Sequence, residues 1–166
     1  MAKGWVIGGA AVVGLGGLYL VTKASRIVAP REIRELLAEL FGTGSIPLWF
    51  AMTNAKLESG FNPAAELHTA HEDSFGLYMV NWRAHHETLE ARGLTQADLL
   101  DPRHNATYWR DVVRVFKAGA ARRGFTGDAL WEAIRLRLAG IGWRDFEGAT
   151  ARGIASRFWR TAGRFR

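Results

Sequence analysis

The chain has no cysteine among its 166 residues. That excludes disulfides, thiolate metal sites and cysteine nucleophiles, although it leaves the compartment open, because exported proteins also do without cysteine. Alternating strand patterns and Asn-Gly hairpin signals are missing too, which argues against a chain built on hairpins. No internal repeat and no low-complexity linker is found beyond the N-terminal segment. Prolines number only four, and Pro30, Pro47 and Pro102 all stand where a helical pattern begins. What is plentiful is apolar: 48% of residues, with seven tryptophans, so the chain is no disordered polymer and has enough material for one modest core. A formal net charge of +6 points to an anionic partner. Nucleic acid, lipid headgroups and cell-wall polymers all qualify on charge alone.

Residues 1–25 read as a separate object from residues 26–166. Gly4 to Val21 is a run of 18 without a charge, bounded by Lys3 and Lys23, with Trp5 near one end and Tyr19 near the other. As a helix it spans roughly 27 Å, just enough for a bilayer core with aromatic residues at both interfaces. Gly4 and Gly8, and Ala10 and Gly14, have the spacing that lets membrane helices approach closely and self-associate. A cleaved signal peptide and a buried core helix are the plainer alternatives, but Val21-Thr22-Lys23-Ala24-Ser25 is a poor cleavage site. We expect a retained transmembrane helix. Lys23, Arg26, Arg31 and Arg34 follow it, and the positive-inside rule would keep the main domain in the cytoplasm. A protein carried in a virus particle and inserted from outside escapes that rule.

The remainder reads as all-α. Helices are expected over Arg31 to Phe41, Leu48 to Leu57, Asn81 to Ala91, Asp101-Pro102 to about Arg123, Thr126 or Gly127 to Gly140, and about Gly148 to Arg160, with a short helical turn at Thr95. Residues 59–80 read as loop, with room for a small β-hairpin within 64–80.

Three segments carry candidate chemistry. A largely apolar run, Ile46 to Leu57, delivers Glu58 at its end, and Ser59-Gly60-Phe61-Asn62-Pro63 breaks the chain at once. A carboxyl between apolar side chains at a helix end is expected to be partly desolvated, which favours a general acid. Taken alone, a Glu at a helix end is more often merely solvated. The second segment, Ser74-Phe75-Gly76-Leu77-Tyr78-Met79-Val80-Asn81, has a glycine suited to close approach of a ligand, and Tyr78 and Met79 suit a sugar groove. The third, Asp101-Pro102-Arg103-His104-Asn105, opens the longest helix.

In this order and spacing the three segments resemble the lytic transglycosylase catalytic domain of the lysozyme-like superfamily, the SLT type, with goose-type lysozymes as relatives. The likeness covers roughly residues 30–145. It implies a lysozyme-like fold that cleaves the MurNAc-GlcNAc bond of peptidoglycan glycan strands. Glu58 would be the general acid/base, and Ser59 would hold that carboxylate or the substrate. Ser74, Gly76, Leu77, Tyr78, Met79, Asn81 and Tyr108 would serve substrate binding. No cofactor and no metal are implied.

Two departures from the family pattern stand out. Met79 occupies the usual place of Gln, and Arg137-Leu138-Ala139-Gly140 keeps the Ala-Gly of a Tyr-Asn-Ala-Gly stretch but loses its Tyr, for which Tyr108 or Trp109 could substitute in space. A transglycosylase of this kind uses one Glu for both proton transfers and leaves a 1,6-anhydro end. An inverting hydrolase needs a second carboxylate roughly 6.5–9.5 Å away, and Glu72 and Asp73 are the nearby acids.

His68, His71 and Asp73 share a loop, but without Cys or a His-Glu-x-x-His helix they read as polar loop groups rather than a zinc site. In the tail, Arg152, Arg157, Arg160, Arg164 and Arg166 alternate with Ile154, Phe158, Trp159 and Phe165. Such a helix suits an anionic membrane surface or nucleic-acid phosphates, or else packs its aromatics on the domain. The combined expectation is a membrane-anchored peptidoglycan-degrading enzyme of a bacteriophage virion, opening the host envelope during genome entry and in contact with other virion proteins. An envelope enzyme of a secretion apparatus is the next choice, and the rival is an inactive lysozyme-like structural or channel component.

Overall fold

The computed structural model describes residues 30–166, so the expected transmembrane helix over residues 1–25 lies outside the described residues. No helix among the described residues is long and apolar enough to cross a membrane. Six α-helices carry the structure: α1 (Pro30–Phe41), α2 (Leu48–Ser59), α3 (Trp82–Glu90), α4 (Pro102–Ala121), α5 (Gly127–Leu138) and α6 (Ala149–Ala162). A small antiparallel sheet, β1 (Glu66–His68), β2 (Asp73–Phe75) and β3 (Val80–Asn81), lies between α2 and α3 in the order β1-β2-β3. Glu66 faces Phe75 across the first pair, and Ser74 faces Asn81 across the second.

The expectation of a mainly helical chain holds, and the hairpin allowed within 64–80 is a small three-stranded sheet. The 59–80 segment holds two strands and the first residue of a third, because Ser74 and Phe75 bury their side chains and pair on both sides. Asn81 both ends a strand and stands as the N-cap of α3. A 3-10 turn at Trp143–Asp145 is an addition. The other helices begin within two residues of the expected positions. Asp101 caps α4, its carboxylate accepting the Arg103 and His104 N–H groups at 2.8 and 3.0 Å ahead of the Pro102 start.

Helix α2 runs through the middle. Phe50 to Ala55 are six successive buried residues, so this helix is enclosed by α1, α6 and the rings of Trp109, Trp131 and Phe158 that pack on Phe50. Its two buried polar residues close on their own helix: Thr53 Oγ1 donates to the Trp49 carbonyl and Asn54 Nδ2 to the Phe50 carbonyl. A buried helix of this kind holds its last residue in a fixed place, and that residue's neighbour is Glu58. Gly60 and Phe61, both at positive φ (68° and 72°), turn the chain away, with their N–H groups capping the carbonyls of Lys56 and Ala55.

In α6, Ala151, Phe158 and Ala162 are buried, and Phe158 packs 5.7 Å from the Phe50 ring. The tail's aromatics thus belong to the core. Arg166 closes the chain, its guanidinium lying over both Trp49 and Trp159 and forking onto Asp128.

Candidate functional site

The three segments singled out in the sequence meet. Ser59 Oγ, at the end of α2, donates to the Leu77 carbonyl at 2.8 Å. Asn105, in the first turn of α4, is wholly buried and makes three bonds, two of them to the same turn region. Its Oδ1 accepts the Tyr78 N–H at 2.9 Å, and its Nδ2 donates to the carbonyls of Phe75 (2.8 Å) and Leu99 (3.0 Å). The Gly76–Met79 turn is thus clamped from both sides. Gly76 has φ 78°, and a Cβ there would stand 2.0 Å from the Leu99 carbonyl oxygen and 2.4 Å from Asn105 Nδ2. The expected close approach of Gly76 to a ligand is therefore corrected: the close approach is to α4 and the turn before it.

Glu58 lies on the wall shared by two recesses. One, of about 230 Å³, is bounded by Met79, Asn81, Tyr108, Arg135 and the far side of Glu58. The other, of about 320 Å³, is bounded by Lys56, Ser59, Asn62 and Glu66. A carboxylate between two concavities can reach a bond that joins a unit in one to a unit in the other. Met79 adopts φ 47°, an unusual conformation for a side chain of its size, and presents a half-buried thioether to the first recess. Asn81 is 4% exposed, lines the same recess and leaves its Oδ1 without a hydrogen-bond partner among the described residues. It is a ready acceptor for a hydroxyl or amide donor.

The remaining expected residues divide. Tyr78 contributes to the first recess's lining as floor: its ring stacks on Trp109 at 4.0 Å, and its hydroxyl donates to the Ala51 carbonyl. Leu77 and Ser74 are fully buried and line neither recess, so they support the site without facing it. Ser74 donates to Glu72 Oε1 at 2.5 Å. Tyr108 lines the first recess, and its hydroxyl meets His85 Nδ1 at 2.8 Å. Burial pushes Tyr108 up to about 12 and His85 down to about 4, so near neutrality the phenol keeps its proton and the ring is uncharged.

Of the two nearby acids, Asp73 is held by His68 at 2.5 Å and faces Arg83 at 3.9 Å, away from both recesses, whereas Glu72 lines the first. Hydrogen bonds to Asp73 and then Glu66 raise the His68 pKa. His68 is thus tied into the sheet's edge.

One residue at the centre was not anticipated. Arg135, on α5, forms an ion pair with Glu58 through Nη1, and the same nitrogen donates to Asn54 Oδ1 at 3.1 Å. Glu58 therefore has a guanidinium against it rather than apolar side chains alone. Tyr108 and Trp109, the candidates to substitute for the missing Tyr, both line the first recess with Glu58. Arg137, which stands at that Tyr's position, turns away to the Ile141 carbonyl and lies over Phe116 and Trp143. Arg135 lies one turn on from Trp131 and one turn before Leu138, on a stripe that would otherwise be apolar, and a charge on such a stripe was the available signal. No protein-family model matches the chain, and no curated protein or solved structure gives a significant match to it.

Proposed function

We propose that residues 26–166 form a lysozyme-like domain that cleaves peptidoglycan glycan strands at the MurNAc-GlcNAc bond, as a lytic transglycosylase with Glu58 as its single acid/base. The observation that carries this is the convergence of the three segments on one site: Ser59 and Asn105 clamp the Gly76–Met79 turn from opposite sides, beside Glu58 and two recesses. Nothing in their composition alone requires three segments spread over some fifty residues to meet around a carboxylate.

In this mechanism Glu58 protonates the glycosidic oxygen as the C1–O bond breaks. The sugar's own 6-hydroxyl then closes onto C1 and returns its proton to Glu58, so one carboxyl serves both transfers and no water is consumed. As an ion pair with Arg135, Glu58 must take up a proton before it can donate one, and the guanidinium must yield as substrate enters. Asn81 and Met79 would contact the sugar in the first recess. Glu72 on that recess favours one second reading, hydrolysis, in which it activates a water.

The setting belongs to the same proposal: an anchor over residues 1–25, a virion protein acting on the periplasmic face of the host envelope, and contacts with other virion proteins. The test is release of soluble muropeptides from purified murein by the full chain, beside Glu58→Gln with its fold checked by circular dichroism. Release by the parent chain that falls at least 100-fold in Glu58→Gln supports the proposal, by the usual magnitude of general acid-base catalysis. No release by a folded parent chain overturns it in favour of the structural component.

A further inference from the structure

Helix α6 lies beyond residues 30–145, yet it reaches the candidate site. Burying Phe158 against Trp49 and Phe50 leaves the adjacent Arg157 to line both recesses beside Leu57 and Glu58. The second recess carries two acids and two cations. Its acids are already engaged, Glu58 by Arg135 and Glu66 by His68 at 3.1 Å. Its cations have no acid partner among the described residues: the Lys56 ammonium lies 5.6 Å from the Phe61 ring centroid, and the Arg157 guanidinium makes no ion pair or hydrogen bond. Outside this recess, Arg103 is held by Glu39, Arg92 by Asp111 and Arg166 by Asp128, whereas Arg122, Arg144, Arg160 and Arg164 line no recess with Glu58. A concavity with two uncommitted cations and already paired acids attracts an anion, and a guanidinium fork fits a carboxylate best.

We propose that Lys56 and Arg157 bind a carboxylate carried as a substituent on the glycan, so that the second recess selects sugars bearing an acidic side group over neutral ones. This inference rests on the glycan-cleaving function proposed above and assigns α6 a part in substrate choice. Two sources share the chemistry: the carboxylates of a peptide stem, and the lactyl carboxylate freed when the stem is removed.

The test uses the full chain carrying Glu58→Gln as a non-cleaving trap. Its affinity is measured for three probes: stem-bearing murein strands, amidase-stripped strands, and a neutral N-acetylglucosamine oligomer of equal length. The expected result is tighter binding of at least one acidic strand than of the neutral oligomer, by roughly threefold or more at low salt, with the gap shrinking as salt rises. Adding Arg157→Gln should bring that ratio close to one, and Arg157→Lys should restore part of it. Preference for stem-bearing strands alone identifies the peptide carboxylates, and preference for stripped strands alone the lactyl group. Equal binding of all three probes overturns the carboxylate proposal while leaving the sugar cleft standing, as does a ratio that Arg157→Gln leaves intact. Binding of none of them overturns both.

Discussion

Replacing Arg135 by methionine should destabilise the fold by a route that can be isolated. The Arg135 and Glu58 side chains are only 13% and 18% exposed, so solvent and salt screen their pair far less than a surface one. Methionine fills much of the stem's space but leaves Glu58 without a counter-charge and Asn54 Oδ1 without its Arg135 donor. Removing one partner of a fully buried pair costs about 3–5 kcal/mol. The remaining exposure of both groups, and release of the buried Arg135 Nε that has no acceptor, bring the expectation to about 2–3 kcal/mol. Glu58→Gln keeps the shape and an acceptor oxygen and should cost about 1–2 kcal/mol. The double variant removes both charges together, so the two costs should fall short of adding by about 1–2 kcal/mol, roughly a 5- to 30-fold difference in the unfolding constant. Urea midpoints of the parent, both single variants and the double variant measure this directly. Additivity within about 0.5 kcal/mol would refute the reasoning, because groups that do not interact simply add.

Gly76→Ala should be among the most damaging single changes. It forces an alanine to φ 78° and drives a methyl into the Leu99 carbonyl and Asn105 Nδ2, so a loss of about 3 kcal/mol or more in thermal or urea unfolding is expected. Asp101→Ala removes the two cap bonds of α4 and should cost about 1 kcal/mol by the same assay. The buried His85 predicts an acid-side loss. The unfolded ring binds its proton near pH 6.5 and the folded ring only near 4, so unfolding takes up a proton between these values. Stability from this group is complete above about pH 6.5 and falls by up to about 3 kcal/mol as pH drops to 4. In His85→Gln that share of the pH dependence should vanish from a series of urea melts between pH 4 and 7.

Local signals made most helices legible. Asp101-Pro102 marked a cap and Gly60 a stop. The short sheet was harder, because β1 to β3 hold two or three residues each and pair only through contacts made after folding. The position of Glu58 was legible as a helix end followed by a turn. Its ion pair was not, since Arg135 is 77 residues away and helical spacing reveals a face, not what it meets. Gly76 was rightly marked as a point of close approach, but only packing reveals that the approaching group is α4. Arg157 was one of several tail arginines in the sequence. The burial of Phe158 beside it is what turns it toward Glu58.

The central claim is that Glu58 alone carries both proton transfers. It is tested most directly by digesting purified murein with the full chain in water enriched in heavy oxygen and weighing the released ends. The account predicts 1,6-anhydro ends that carry no heavy oxygen and that disappear in Glu58→Gln. Reducing ends labelled from the water would contradict it and transfer the second role to a water-activating carboxylate such as Glu72.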